Sequence, residues 1–470
     1  MLFNSFQFLI FFPLVTIIYF LLPHRWQWFH LLIASCIFYA AFIPAYLLIL
    51  FATIITDYLA GIFIENTKGT RRKYFLILSI VANVGILAVF KYYDFFIDNI
   101  NQLLIGLNFA IEPLGYLEII LPIGLSFHTF QAMSYTIEVY RGKQKAEKHF
   151  GIYALYVMFY PQLVAGPIER PQNLLRQFHV PRKTDPERIF SGFTQMLWGF
   201  FKKIVVADNC AVFVNQIWAD HTQLSGPVLI IGAILFSFQI YCDFSGYSDI
   251  ALGSARIMGF ELMTNFRYPY FSRNIREFWK RWHISLSTWF RDYVYIPLGG
   301  SRMGRSRAIR NVVIIFILSG FWHGANWTFI IWGLLHGMFF LPFFLGKNST
   351  DDNLNVTLHP KNLLKIARTF SLVTLAWIFF RSASLKESLE FIGGFGRWGD
   401  PLDFFMESNV YFITTVIILL GITQLFIMEW FNRTRDSVKI KRDWICVTLI
   451  LEIVFLGSYK NPMNFIYFQF

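Results

Sequence analysis

The chain has 470 residues, 56% hydrophobic, 19% aromatic and only 15% charged, with a mean hydropathy of +0.48. Soluble domains are roughly a quarter charged, and a disordered or fibrous chain does not carry 55 phenylalanines, 22 tyrosines and 14 tryptophans, so a water-soluble enzyme, a disordered protein, collagen and a coiled coil are all excluded. A formal net charge of +12 can mark a nucleic-acid partner; in a chain this apolar it marks basic loops on one side of a membrane, and no nucleic acid is expected.

The first 26 residues, from Met1 to Trp26, have neither a basic leader nor a small-residue cleavage site, and read as a retained first span. Further apolar stretches fall at about 29–43, 45–64, 74–93, 117–139, 150–165, 190–214, 227–250, 311–345, 363–380, 410–431 and 443–459. None alternates with the period of two that a strand requires. The expectation is an all-α polytopic membrane protein, with about ten to twelve transmembrane helices plus re-entrant or interfacial helices around a central cavity. The segments 67–74, 141–149, 301–310 and 433–442 are basic, whereas 94–119 carries Asp94, Asp98, Glu112 and Glu118 without Lys or Arg. The positive-inside rule then places the basic loops in the cytoplasm and both termini outside. Cys36, Cys210, Cys242 and Cys446 lie far apart in or beside apolar runs, and read as buried small side chains rather than a disulfide or metal framework.

Between 165 and 190, and again between 255 and 310, Pro, Gly and charge interrupt the apolar pattern. Such backbone survives at membrane depth only where it is enclosed by protein or lines a wet cavity, so a site is sought there. His323, in LSGFWHGANWTFIIWG, is an ionisable group in an apolar run with Gly320 and Gly324 beside it. It is a candidate general base; a histidine satisfied by a neighbouring carbonyl is the alternative. His283 lies in EFWKRWHISLSTWFRDY, a mixture of Trp and charge that by itself reads as an amphipathic interfacial helix. In QIYCDFSGYSDIALGSARIMG, Asp243 and Asp249 are six residues apart, about 120° around a helix. They cannot form an acid/base dyad and are expected to anchor basic residues or orient a histidine. P-loop, nucleophile-elbow and zincin motifs do not occur.

The strings FWKRWHISLSTWFRDYVYIPLGG (278–300) and GFWHGANWTFIIWGLLHG (320–337), with YCDFSGYSDIALGSARIMGF (241–260) and YPQLVAGPIERP (160–171), closely resemble the membrane-bound O-acyltransferase (MBOAT) family. The likeness is to its bacterial branch of alginate and peptidoglycan O-acetylation and teichoic acid D-alanylation, and runs through nearly the whole chain. The resemblance implies one membrane domain over 1–470, with N-terminal helices at 1–140, a catalytic core at 150–345 and C-terminal helices at 363–470. It maps the catalytic histidine onto His323 and the second active-site position onto His283. His336 matches a histidine of this branch and is assigned to packing or a supporting hydrogen bond. It also implies acetyl-CoA as donor substrate with no permanently bound cofactor or metal, an extracytoplasmic acetyl-transferring partner, a cell-surface polysaccharide as acceptor, and residence in the cytoplasmic membrane. Tyr241, Asp243, Trp322 and Asn326 are candidates for substrate binding. Arg302 and Arg305, in the basic loop 299–310, are candidates for the coenzyme A phosphates, a solvated loop being the alternative. The aromatic ending KNPMNFIYFQF reads as an interfacial anchor or, alternatively, as a segment that fills the mouth of the cavity or docks a partner. Other functional readings are an acyl-carrier-protein donor; a polysaccharide or lipid-linked-sugar transporter without covalent chemistry, which would spread polar or charged residues along many spans; and a scaffold, which would not need His323.

Overall fold

In the computed structural model, the described residues are 1–109, 112–119, 121–164, 166–345, 359–433, 440, 443–459, 465 and 466. Among them the regular structure is helical throughout. Among the described residues six helices are long and apolar enough to cross a membrane: Tyr46–Asn66, Gly69–Gly106, Gly226–Ile257, Trp327–Phe344, Pro360–Arg381 and Asn409–Asn432. The protein is a multi-pass, all-α membrane protein. The backbone divides into two compact units, Met1–Ile189 with Ser254–Met263, and Phe190–Gly253 with Thr264–Phe470.

In the first unit the helix Tyr46–Asn66 packs against Gly69–Leu87 and Leu125–Tyr140 around a buried polar knot. Asp57 accepts from Ser79 Oγ at 2.6 Å and from Asn83 Nδ2 at 2.9 Å, and Thr53 Oγ1 lies 2.7 Å from His128 Nε2. Buried polar groups are tolerable when they satisfy one another in this way. The apolar stretch 117–139 does not form one span, because its helix begins only at Leu125, after Pro122 and Gly124. The acidic segment before it is tied down instead, with Leu117 N and Glu118 N donating to Asp94. In the stretch 150–165 the helix Phe150–Met158 stops at Phe159 and a short turn, Tyr160–Leu163, follows. Buried Glu169 then fastens residues 254–263 to this unit by accepting from Met263 N at 2.5 Å.

The second unit is organised around Gly226–Met258. Its membrane-length window is 83% buried inside protein, which explains why it is apolar on all faces and can still carry Asp243 and Asp249. The apolar stretch 311–345 is two helices, Arg305–His323 and Trp327–Phe340, broken at Gly324. They pack at backbone contact through two glycines. A Cβ on Gly320 would lie 2.1 Å from Phe329 O, and one on Gly333 2.2 Å from Phe316 O. Only glycine permits that approach.

Candidate active site

His323 ends the helix Arg305–His323. The chain reverses through Gly324, and Asn326 starts the next helix by accepting from Thr328 N at 3.0 Å while its Nδ2 donates to Ala383 O at 2.8 Å. The His323 ring is 3% exposed and is boxed by Trp322, Trp332 and Phe380, at 4.9, 5.1 and 5.3 Å between ring centroids. Edge-to-face contacts of this kind contribute roughly 0.5–1.5 kcal/mol each beyond area burial and keep water out. Among the described residues the buried indole N–H of Trp332 meets no acceptor.

His283 occupies a second break, between Ile275–Arg281 and Ile284–Phe290. Its backbone is left-handed, φ 43° and ψ 55°, a conformation that costs a non-glycine residue roughly 1–2 kcal/mol and persists where surrounding structure over-determines it. Trp282 and His283 are buried, as are Phe278, Trp289 and Phe290. The segment is amphipathic locally, but Trp282 and Trp289 pack inside the protein and Trp279 is half-buried, which does not favour the interfacial-helix alternative. The segment 265–281 holds the break in place, with Arg267 N donating to Arg281 O at 2.9 Å and Arg281 Nη2 to Glu277 at 2.7 Å. Phe244 meets the His283 ring edge-on at 4.7 Å. Burial pushes the His283 pKa down to about 3, so the ring is neutral at physiological pH.

The two imidazoles, forty residues apart in sequence, stand 6.4 Å apart between centroids with planes inclined at 58°. Trp322 adjoins both, 6.3 Å from His283. His336 lies on the following helix, Trp327–Phe340: its Nδ1 accepts from Trp279 Nε1 at 3.3 Å, and Trp332 is wedged between it and His323.

The other sequence-selected residues distribute around this pair. Tyr241 donates to Glu429 Oε1 at 2.5 Å and lines a cavity of about 20 Å³, room for about one water, together with Lys202, Ser245, Asp249, Asn265 and Glu429. Asp249 pairs with Lys202, and Asp243 with Lys203 at 2.7 Å, so both aspartates anchor lysines. Lys203 also holds Asp208 at 2.9 Å. The second Asp243 oxygen accepts from Ile466 N at 2.7 Å. Phe465 and Ile466 are buried, with Phe465 against Tyr247 at 4.5 Å and Phe244 at 5.7 Å. These two residues are not a surface anchor; residues 460–464 and 467–470 of the aromatic ending lie outside the described set. Asn326 is a helix cap. Arg302 and Arg305 are exposed on a glycine-rich turn, where Gly299, Gly300 and Gly304 take positive φ and Asn311 Nδ2 donates to Leu298 O at 3.2 Å.

Sequence reasoning passed over Lys202, Lys203, Glu429 and Asn265. Charges within the apolar stretches 190–214 and 410–431 were a usable signal for the first three; nothing local marks Asn265.

The site is thus two buried histidines meeting in an aromatic box inside a helical, multi-pass membrane protein. Residues 146–381 match the model of MBOAT, the membrane-bound O-acyltransferase family. The chain is 34% identical over 494 residues to a probable alginate O-acetylase AlgI of Pseudomonas putida, covering 99% of both chains. It is 34% identical to a peptidoglycan O-acetyltransferase of Helicobacter pylori over 96% of this chain and 92% of that one, and 30% identical to a teichoic acid D-alanyltransferase of Bacillus subtilis over 46% and 57%. The chain belongs to the membrane-bound O-acyltransferase family, and is an O-acyltransferase.

Proposed function

We propose that the protein moves an acetyl group from cytoplasmic acetyl-CoA to a hydroxyl on the way to a cell-surface polysaccharide, working in the cytoplasmic membrane with an extracytoplasmic acetyl-transferring partner. The observation that carries the reading is the 6.4 Å approach of His283 and His323 inside a water-excluding aromatic box. His323 takes the proton of the acceptor hydroxyl as its oxygen attacks the thioester carbonyl. The C–O bond forms, the C–S bond breaks, and the leaving thiolate recovers the proton from His323. General-base assistance of this type contributes about 10²–10⁴-fold, and confinement of both substrates adds to it. His283 orients the acceptor oxygen, and the buried N–H of Trp332 is a donor in hand for the oxyanion. Trp322 contacts both imidazoles and forms a wall of the acyl site.

The exposed turn carrying Arg302 and Arg305 suits the phosphates of coenzyme A. The names of the relatives, which refer to alginate, peptidoglycan and teichoic acid, support an envelope polymer as the acceptor class. Purified protein offered acetyl-CoA or an acetylated acyl-carrier protein tests the donor. Turnover with acetyl-CoA that drops when Arg302 and Arg305 are changed to Ala supports the reading, whereas turnover with the carrier protein alone replaces the donor.

A further inference from the structure

Asn265 holds the three residues at the His283 break from four directions. Its backbone oxygen accepts from Ile284 N at 2.9 Å. Its side-chain Oδ1 accepts from Ser285 Oγ at 2.7 Å and Ser285 N at 3.3 Å, and lies 3.2 Å from His283 Nδ1. Its Nδ2 points the other way, to Ser248 Oγ at 3.4 Å, on the long helix Gly226–Met258. The orientation of the amide is settled by chemistry, because a backbone N–H can only donate and so the atom facing Ser285 N must be the carbonyl oxygen. The same oxygen faces His283, so Nδ1 must carry the proton. In a neutral imidazole the lone pair is then confined to Nε2. Phe244, Phe266, Trp322 and His323 also stand around the ring, and His323 is the titratable group among these four.

From this geometry we infer that Asn265 is a positioning residue of the acyl-transfer reaction, fixing His283 in its Nδ1–H form and in the strained left-handed backbone that presents it to His323. The inference rests on the reading of His283 as part of the catalytic pair. Two features distinguish it from a purely structural hydrogen bond. The backbone conformation held at residue 283 is one that a non-glycine residue abandons when released, and an amide oxygen can only accept, so it fixes the Nδ1–H tautomer that a water or hydroxyl, able to donate or accept, would leave undetermined.

The test is a double-mutant cycle in the full-length purified protein, with acetyl transfer from labelled acetyl-CoA as the readout. Asn265→Ala is expected to lower kcat by about 10–100-fold, the usual cost of losing a partner that orients an active-site histidine, with KM within about twofold. Ser285→Ala, which removes a neighbouring bond but leaves the His283 contact, is expected to stay within about threefold. In a His283→Ala background Asn265→Ala should cost nothing further, because its effect passes through the missing ring. Asn265→Asp retains the acceptor and places a negative charge opposite Nδ1–H; it should recover much of kcat and move the acidic limb of the rate profile to higher pH. Equal losses from Asn265→Ala and Ser285→Ala, or a full additional loss in the His283→Ala background, overturn the inference. If Asn265→Ala does not fold, the Asn265→Asp profile decides, and an unmoved acidic limb overturns it. Full activity of His283→Ala alone instead overturns the reading of His283, an outcome distinct from either.

Discussion

Gly320→Ala probes the claim that the histidine box depends on backbone contact between two helices. The added Cβ would lie 2.1 Å from Phe329 O and 3.0 Å from Phe329 C. Ordinary van der Waals contact begins near 3.4 Å, so one helix must retreat by about 1.3 Å along that direction. Main-chain atoms cannot rotate aside as a side chain can, and the mirrored contact of Gly333 with Phe316 O leaves no slack in the opposite direction. His323 lies one turn after Gly320 on the displaced helix, while Trp332, which walls its ring at 5.1 Å, belongs to the other. Overpacking of this size costs about 1–3 kcal/mol of stability. A displacement of about 1 Å at the reacting groups costs about 10²-fold in rate. The expected result is a variant that still purifies as a folded protein with a lowered melting temperature and kcat reduced about a hundredfold. A Gly320→Ala protein with wild-type kcat and melting temperature would refute the argument that this contact sets the site.

Two further predictions concern the support of each unit. Removing residues 465–470 withdraws Phe465 from Phe244, the ring that rests on His283, and Ile466 N from Asp243; the truncated protein should lose most transfer activity, and full activity at normal stability would mean that the tail does not support the site. Glu169 lies outside the long apolar helices, and burial raises its pKa to about 7 from 4.5. The folded protein thus holds this proton more tightly than the unfolded chain, so the contribution is full below pH 4.5 and is lost as pH rises to about 7. The loss amounts to at most about 3 kcal/mol at 1.36 kcal/mol per unit. Glu169→Gln, which keeps an acceptor for Met263 N, should flatten the melting temperature between pH 5 and 7; an unaltered pH dependence would assign it to other groups.

His323 stood out because an ionisable group in an apolar run is costly and because Gly320 and Gly324 beside it pointed to a close approach, which Gly320 makes with Phe329 O; His283 was reached only through the family resemblance, its own segment reading as an interfacial helix. The spacing of Asp243 and Asp249 argued against a dyad and for basic partners, and the structure pairs them with Lys203 and Lys202, which the spacing could not name. The helix breaks at 281–284 and 323–327 were less visible. Trp279, Trp282 and Trp289 alternate with charge exactly as an interfacial helix would, and only tertiary packing decides that the rings face protein instead of lipid headgroups. Asn265 is the clearest omission. It sits in an irregular segment with no periodicity to read, and its importance arises from meeting His283, eighteen residues away, in space. The buried lysines show a different failure: Lys202 and Lys203 were in plain view inside an apolar stretch, but their meaning depends on Asp249 and Asp243 on another helix.

The central claim is that His323 is the base of the transfer. Purified wild-type protein and His323→Ala, matched for folding by melting temperature, would be incubated with radiolabelled acetyl-CoA and a hydroxyl acceptor, and the label in the acceptor counted. His323→Ala is expected to lower the rate of transfer by about 10²–10⁴-fold with acetyl-CoA still bound. Transfer at the wild-type rate by the folded variant would contradict it.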